Sequence, residues 1–554
     1  MKVKNLLPFG ALMPAIWMSC GQTQNTEKAA KPNIVIIFSD ELQFDDISAY
    51  GGSISTPNID YLAQNGVQFN QAYTTASMST PSRFSLLTGQ MPSRCIAESY
   101  VEKNPDNEPA NTEWNTWIVP QNITIPRLLS SNGYNTGIAG KWHLGDIPSD
   151  KWPYIDDKLD LVSEELNLQL KNRQAFIEQQ VKKNGGFDHA ASIVWDNNDM
   201  HPVKALRFHN FGWMNKGALE FIDSAAGKDK PFFLYFTPTS IHGPNHVESL
   251  DADKSFTPDG KDAQIQKYNI NDKALKDSLN HLKGKNKHRV AGMVNLDFSV
   301  KLIIEKLKEK GIWDNTIVIL IADHNIEPGK ATCYAKGIRV PMIIKSISNM
   351  QKGLKCNSLV QTVDILPTIC EWTGIELPKN HIIDGLSLLP VLKNVRSNIR
   401  KYIFTESGYS RSISNEIFQY IALRFPSKYI DMMTNKKMNH VPSYVGEWPQ
   451  GQSAIAIHSF PCYFDQNQLY NLQTDKKEQV NIYLDDTYKA VRDSMKNELT
   501  KNLASFRYKF NLDDIPFLNS LEYKNLQKTN RAYDLKSIPW FIQDHGEHFE
   551  WNEN

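Results

Sequence analysis

Two stretches constrain the fold of this chain more than any others: Asn33-Ile34-Val35-Ile36-Ile37-Phe38 and Thr316-Ile317-Val318-Ile319-Leu320-Ile321-Ala322. Each is an unbroken apolar run, rich in β-branched residues and short for a buried helix. Such runs read as strands covered on both faces, as in a parallel sheet. Each ends abruptly in charge, in Ser39-Asp40-Glu41 after the first and Asp323-His324 after the second. Two further runs behave alike. Residues 133–139 lead into Gly140-Lys141-Trp142-His143-Leu144-Gly145, and Pro231-Phe232-Phe233-Leu234-Tyr235-Phe236 leads to Ser240-Ile241-His242. Open α/β sheets build their sites just past the C-terminal ends of the strands, where these polar residues fall. A carboxylate at a buried strand end has to be paired or metal-bound.

Helical patterns alternate with the strands at 59–65, 125–131, 295–310 and 363–373. The third carries Leu296, Val300, Ile303, Ile304 and Leu307 on one side and stops at Gly311. Alternation of this kind predicts an α/β layered domain, a large and mostly parallel sheet flanked by helices. Residues 243–289 are polar and rich in Lys and Asp, and read as an excursion over the surface. From about 398 the strands shorten while Tyr, Trp and polar residues increase. That predicts a smaller α+β subdomain with an antiparallel sheet.

The chain is long enough, at 554 residues with 41% apolar, for a large domain and a smaller one. Lys plus Arg and Asp plus Glu both number 61, a balance that argues against a nucleic-acid binder. An anionic substrate would be held by local charge. The N-terminus reads as an export signal over 1–20: Lys2 and Lys4, an apolar run over 6–18 too short to span a bilayer, then Ser19-Cys20-Gly21. A polar linker over 21–31 follows. The pattern resembles a bacterial lipoprotein signal with Cys20 as the lipidated residue. Such an anchor would be the chain's one link to a membrane. Five cysteines remain, none in a C-x-x-C pair, so no zinc or redox motif is present.

The candidate nucleophile lies in Ser79-Thr80-Pro81-Ser82-Arg83, continued by Phe84-Ser85-Leu86-Leu87-Thr88-Gly89. Pro81 suits a first helical turn, Thr80 or Ser79 can cap it, and Gly89 ends it. A helix N-terminus favours an anion, and Arg83 adds forked donors suited to a tetrahedral oxyanion. Asp40, Glu41, Asp323 and His324 would converge if the first and last buried strands are neighbours. Three carboxylates favour a hard divalent cation, Ca2+ or Mg2+, over zinc.

The string Ser-x-Pro-Ser-Arg-x-x-Leu-Leu-Thr-Gly resembles the signature of the type I sulfatases, of the alkaline-phosphatase-like superfamily. In that family the first residue, Cys or Ser, is oxidised to formylglycine. Here it is Ser79, as in serine-type bacterial members. The resemblance continues through the Asn33–Asp40 segment, the Gly140–Gly145 motif, Asp323-His324, and the Gly329-Lys330-Ala331-Thr332-Cys333-Tyr334 segment. Asp364-Ile365-Leu366-Pro367-Thr368, Asp384-Gly385-Leu386 and Leu469-Tyr470-Asn471-Leu472 also look like sulfatase sequence. Glu41 stands where the family usually has Asp, and Asn325 where it has Gly.

The resemblance implies a catalytic sulfatase domain over 32–397 and the subdomain over 398–554. It implies one divalent metal, most simply Ca2+, on Asp40, Glu41, Asp323 and His324. The hydrate of the aldehyde made from Ser79 would attack sulfur and form a covalent sulfo-enzyme. Arg83, Lys141 and Lys330 would neutralise sulfate oxygens. His143 would take the proton that expels sulfate, and His242 would protonate the leaving alcohol. The implied partners are a sulfated mono-, oligo- or polysaccharide and a formylglycine-generating maturase. The implied place is the periplasm or outer membrane of a glycan-degrading bacterium. Trp114, Trp117, His201, His209, Trp213 and Trp448 could line a sugar subsite. Two other readings compete. One is a phosphatase or phosphodiesterase of the same superfamily with unmodified Ser79 as nucleophile, although such enzymes usually hold two metals. The other is an inactive sulfoglycan-binding protein.

Overall fold

Eight strands form the central sheet: β1 (Asn33–Ser39), β2 (Val67–Phe69), β3 (Asn135–Lys141), β4 (His189–Val194), β5 (Phe232–Thr237), β6 (Thr316–Ala322), β7 (Met342–Lys345) and β8 (Leu354–Cys356). Their spatial order is β8-β2-β7-β6-β1-β5-β3-β4. Only β7 runs against the rest. The computed structural model describes residues 31–532 apart from 229, 283–285, 327, 348–350 and 447–450. The expected signal over 1–20, Cys20 and the linker up to residue 30 lie outside the described residues. No described helix is long and apolar enough to cross a membrane.

The two apolar runs do pair. β1 and β6 lie side by side and parallel, Asn33 against Thr316 through Ser39 against Ala322. Every residue of both strands is buried, as a sheet covered on both faces requires. Each buried Ile, Val or Phe stabilises this core by about 1.5–3 kcal/mol.

Helices α1 (Pro57–Gln64), α2 (Ser79–Thr88), α3 (Ile125–Ser131), α4 (Glu164–Gly185), α5 (Phe211–Ala225), α6 (Lys287–Glu309) and α7 (Ile365–Thr373) connect the strands. α6 begins at Lys287, before the expected 295, because Asn286 caps it by accepting the Arg289 N–H. The described residues of 243–289 run mostly over the surface, as expected, but they are structured. They carry short helices at His246–Ser249 and Asp272–Asn280, and Leu250, Leu275 and Leu279 pack with Ala291 of α6.

The C-terminal part holds a separate antiparallel sheet, β9 (Ile403–Ser407), β10 (Ser410–Ser414), β11 (Phe418–Leu423) and β12 (Asn467–Asn471), paired in sequence order. Buried side chains tie it to the rest. Glu406 of β9 accepts the Ser93 N–H at 2.9 Å and the Ser93 hydroxyl at 2.7 Å. The five described cysteines are all unbridged.

Candidate active site

The β1–β6 register delivers Asp40 and Asp323 next to each other, and the Asp323 N–H donates to the Ser39 carbonyl at 2.9 Å. Asp40, Asp323 and His324 are wholly buried, with one ligand atom of each within 4.8 Å of the others. His324 Nδ1 lies 2.7 Å from the Asn325 carbonyl. A carbonyl only accepts, so the proton sits on Nδ1 and Nε2 keeps its lone pair for the cluster. Of the four expected metal ligands these three share the cluster, and Glu41 lies beside it. Glu41 has φ 58, and its N–H donates to Asp323 Oδ1 at 3.1 Å. Its carboxylate is paired with Lys330 and stands 3.7 Å from His242 Nε2.

Ser79 is the first residue of α2, and Met78 precedes it without any side-chain cap. Neither Ser79 nor Thr80 caps the helix, contrary to expectation. Ser79 Oγ turns instead to the cluster, 3.1 Å from His324 Nε2 and 3.3 Å from Asp40 Oδ1. Gly89 closes the helix with φ 66, donating to the Ser85 carbonyl. Arg83 is buried one turn on, its Nη2 donating to Asp323 Oδ2 at 3.1 Å and lying 3.4 Å from Asp40 Oδ2. Its Nε and Nη1 are buried and meet no hydrogen-bond partner among the described residues.

Lys141 ends β3 and reaches Asp40 Oδ2 at 2.6 Å and Asn197 Oδ1 at 2.5 Å. Gly140 before it has φ +103, and a Cβ there would stand 2.2 Å from the Thr237 carbonyl oxygen, so only glycine fits. His143 follows at φ 52, its Nε2 2.9 Å from Asp196 Oδ1. Lys330 sits in a loop closed by a backbone approach, where a Cβ on Gly337 would meet the Gly329 carbonyl oxygen at 1.9 Å.

Charge is balanced inside this site: Asp40, Glu41 and Asp323 face Arg83, Lys141 and Lys330. Burial pushes the Asp40 carboxyl up, but Lys141, His242, Arg83 and His324 outweigh it and hold it well below the usual range. Burial and then the Lys141 charge lower the His143 imidazole, so that ring is neutral at pH 7. Burial would raise Asp196, but the His143 hydrogen bond outweighs it and holds Asp196 at about 2.

Asp196 and Asn197 were not anticipated from the sequence. They follow the end of β4, the same placement that marked the other strand-end residues. They also border a cavity of about 380 Å3. Of the residues that could line a sugar subsite, Trp117, His201 and Trp213 line this cavity. His209 does not, and stacks on His246 at 3.8 Å instead. Trp114 is half-buried and not part of this lining, and Trp448 lies outside the described residues.

A mostly parallel sheet that gathers a buried hydroxyl, a ligand trio and a ring of cations at its strand ends belongs to the alkaline-phosphatase-like class. Within that class, the family model described as Sulfatase matches residues 32–375, and the chain belongs to the sulfatase family. It is a sulfuric ester hydrolase, which sets aside the phosphatase reading. Family members generally use a formylglycine and a divalent metal. An N-acetylgalactosamine-6-O-sulfatase of Bacteroides thetaiotaomicron is 27% identical, over 73% of this chain and 85% of that protein. Human arylsulfatase A is 26% identical, over 82% of this chain and 84% of its own length. A solved Bacteroides thetaiotaomicron structure from work on glycosaminoglycan metabolism superposes with TM-score 0.59 at 21% identity, over 86% of this chain and all of that one. Another solved structure, of a protein in complex with its substrate D-glucosamine-2-N,6-O-disulfate, gives TM-score 0.54 at 18% identity, over 86% of this chain and 98% of that one.

Proposed function

We propose that the chain hydrolyses sulfate esters on a carbohydrate, using a formylglycine made from Ser79 and one divalent cation, Ca2+. Asp40, Asp323 and His324, with Glu41 beside them, would hold the cation. The donor set fits it: hard carboxylate oxygens, one imidazole lone pair, and a charge-balanced pocket to which a dication adds the surplus an anionic ester needs. Bound there, the cation supplies Lewis-acid polarisation. Formylglycine supplies a hydrated aldehyde as nucleophile.

The other roles follow from this chain's own atoms. Arg83 offers two buried donors that an oxyanion would satisfy. Lys141 is paired with Asp40 and Lys330 with Glu41, and both would neutralise sulfate oxygens. His143 donates its Nε2–H to Asp196, which leaves Nδ1 as the basic nitrogen; that atom is buried without a partner among the described residues. Neutral and so oriented, it would take a proton at Nδ1. His242, at the rim beside Glu41, would protonate the leaving alcohol from Nε2. The catalytic domain would span 32–397 and the subdomain 398–554. The protein would be exported as a bacterial lipoprotein anchored at Cys20, after a maturase has acted on Ser79. Glycan sulfatases among the relatives support the carbohydrate.

The observation that carries this reading is Ser79 Oγ within hydrogen-bond reach of both Asp40 and His324. It is tested on protein from its native host by weighing the Ser79 peptide and assaying bound metals in the same sample. A peptide lighter by two hydrogen atoms, with calcium bound, is expected. An unmodified serine would overturn the formylglycine mechanism.

A further inference from the structure

The cavity beside Asp196 and Asn197 is walled by indole rings. Trp152 meets Trp195 edge-on at 5.4 Å, and Trp195 presses on Gly145, where a Cβ would stand 2.4 Å from the ring. Gly145 closes the segment that carries Lys141 and His143, so this wall continues the catalytic cluster. Flat aromatic walls suit the apolar faces of sugar rings. The volume lies in the range of small-ligand sites.

One group in the lining is out of keeping. Arg173, on α4, lays its guanidinium over the Trp152 ring at 4.1 Å. It is partly buried, and no ion pair or hydrogen bond to a carboxylate holds it among the described residues. The cavity's two carboxylates are otherwise placed, Asp196 on His143 and Asp146 exposed. No other Lys or Arg lines the cavity, and burial lowers His201 to about 4, so it is neutral near pH 7. A planar cation, stacked and partly desolvated without a counter-charge, is set up for bidentate recognition of an anion.

We propose that Arg173 reads a second anionic group on the substrate, a carboxylate of a uronic acid or a further sulfate, on the sugar that occupies this cavity. The inference rests on the carbohydrate reading above. It assigns the substrate class as a multiply charged glycan rather than a neutral sugar with a single sulfate.

The test uses the mature enzyme, Arg173→Gln and Arg173→Lys with three matched oligosaccharides. One carries the scissile sulfate alone, one adds a second sulfate, and one adds a uronate. Binding is measured by calorimetry and turnover as kcat/KM. Arg173→Gln should weaken binding and kcat/KM for one or both doubly charged ligands by about ten- to a hundredfold, the span of a charged hydrogen bond. The singly sulfated ligand should change by less than about twofold, and Arg173→Lys should recover part of the loss. Which doubly charged ligand is affected tells carboxylate from sulfate. Equal losses on all three ligands, or none on any, would overturn the proposal. Binding decides this without turnover, so a wild type that binds but releases no sulfate would count against the proposed function alone.

Discussion

Glu478 is a buried carboxyl at φ 56, with one oxygen accepting the Ala335 N–H at 2.8 Å and the other without a partner among the described residues. Burial pushes its pKa up from 4.5 to about 8. The folded chain therefore holds a proton between these values that the unfolded chain has released. The sign follows: its contribution is complete below 4.5 and is lost as pH rises through about 8. Glu478→Gln keeps the acceptor and cannot ionise. Its melting temperature relative to wild type should rise from about pH 5 to about pH 8 and level off above that; a constant offset would mean that Glu478 ionises without penalty. Asp196 acts on a different property. Its charge raises the His143 pKa against burial. Asp196→Asn should move the acid limb of the kcat profile to lower pH and cut kcat by about ten- to a hundredfold. The melting temperature should hardly move, because the Asp196 side chain is 40% exposed.

At the scale of elements, the loop that carries Lys330 depends on Gly337 meeting Gly329 backbone to backbone. Gly337→Ala should displace Lys330 and lower sulfatase kcat/KM, while circular dichroism stays that of the wild type. A variant of full activity would show that the loop absorbs the clash. The same scale explains what could be read in advance. β1, β3, β5 and β6 were visible because burial on both faces leaves an apolar run that no surface strand needs. β4, a sheet edge with mixed exposure, and the three-residue β2 and β8 leave no such trace. α4 was passed over because its buried stripe of Leu166, Leu170, Ile177 and Val181 is thin among charged residues. The convergence of Asp40 with Asp323 and His324 was legible from strand order. The Glu41–Lys330 pair and the Asp196–His143 bond were not, since spacing along a chain does not say which side chains meet across a sheet.

At the scale of the molecule, the small sheet is bound into the catalytic part. Glu406 holds Ser93 just beyond α2, the Glu406 N–H donates to the Thr75 carbonyl at 2.8 Å, and Glu478 holds Ala335 near the Lys330 loop. Net charge is zero over the whole chain, so attraction of an anion is a local matter of Arg83, Lys141 and Lys330 rather than of a basic surface. One feature of α2 reaches beyond geometry into time. All ten of its residues are buried, and Ser79 is 2% exposed. An enzyme that oxidises a side chain has to enclose it, and once the sheet has closed over α2 nothing of that size can. If Ser79 is converted as proposed, the burial of α2 places that step in the unfolded chain, before β1 and β6 have paired. A synthetic peptide over 75–90 should be converted by a maturase, and the folded protein should not. On that reading, a batch that folded too soon would keep its serine.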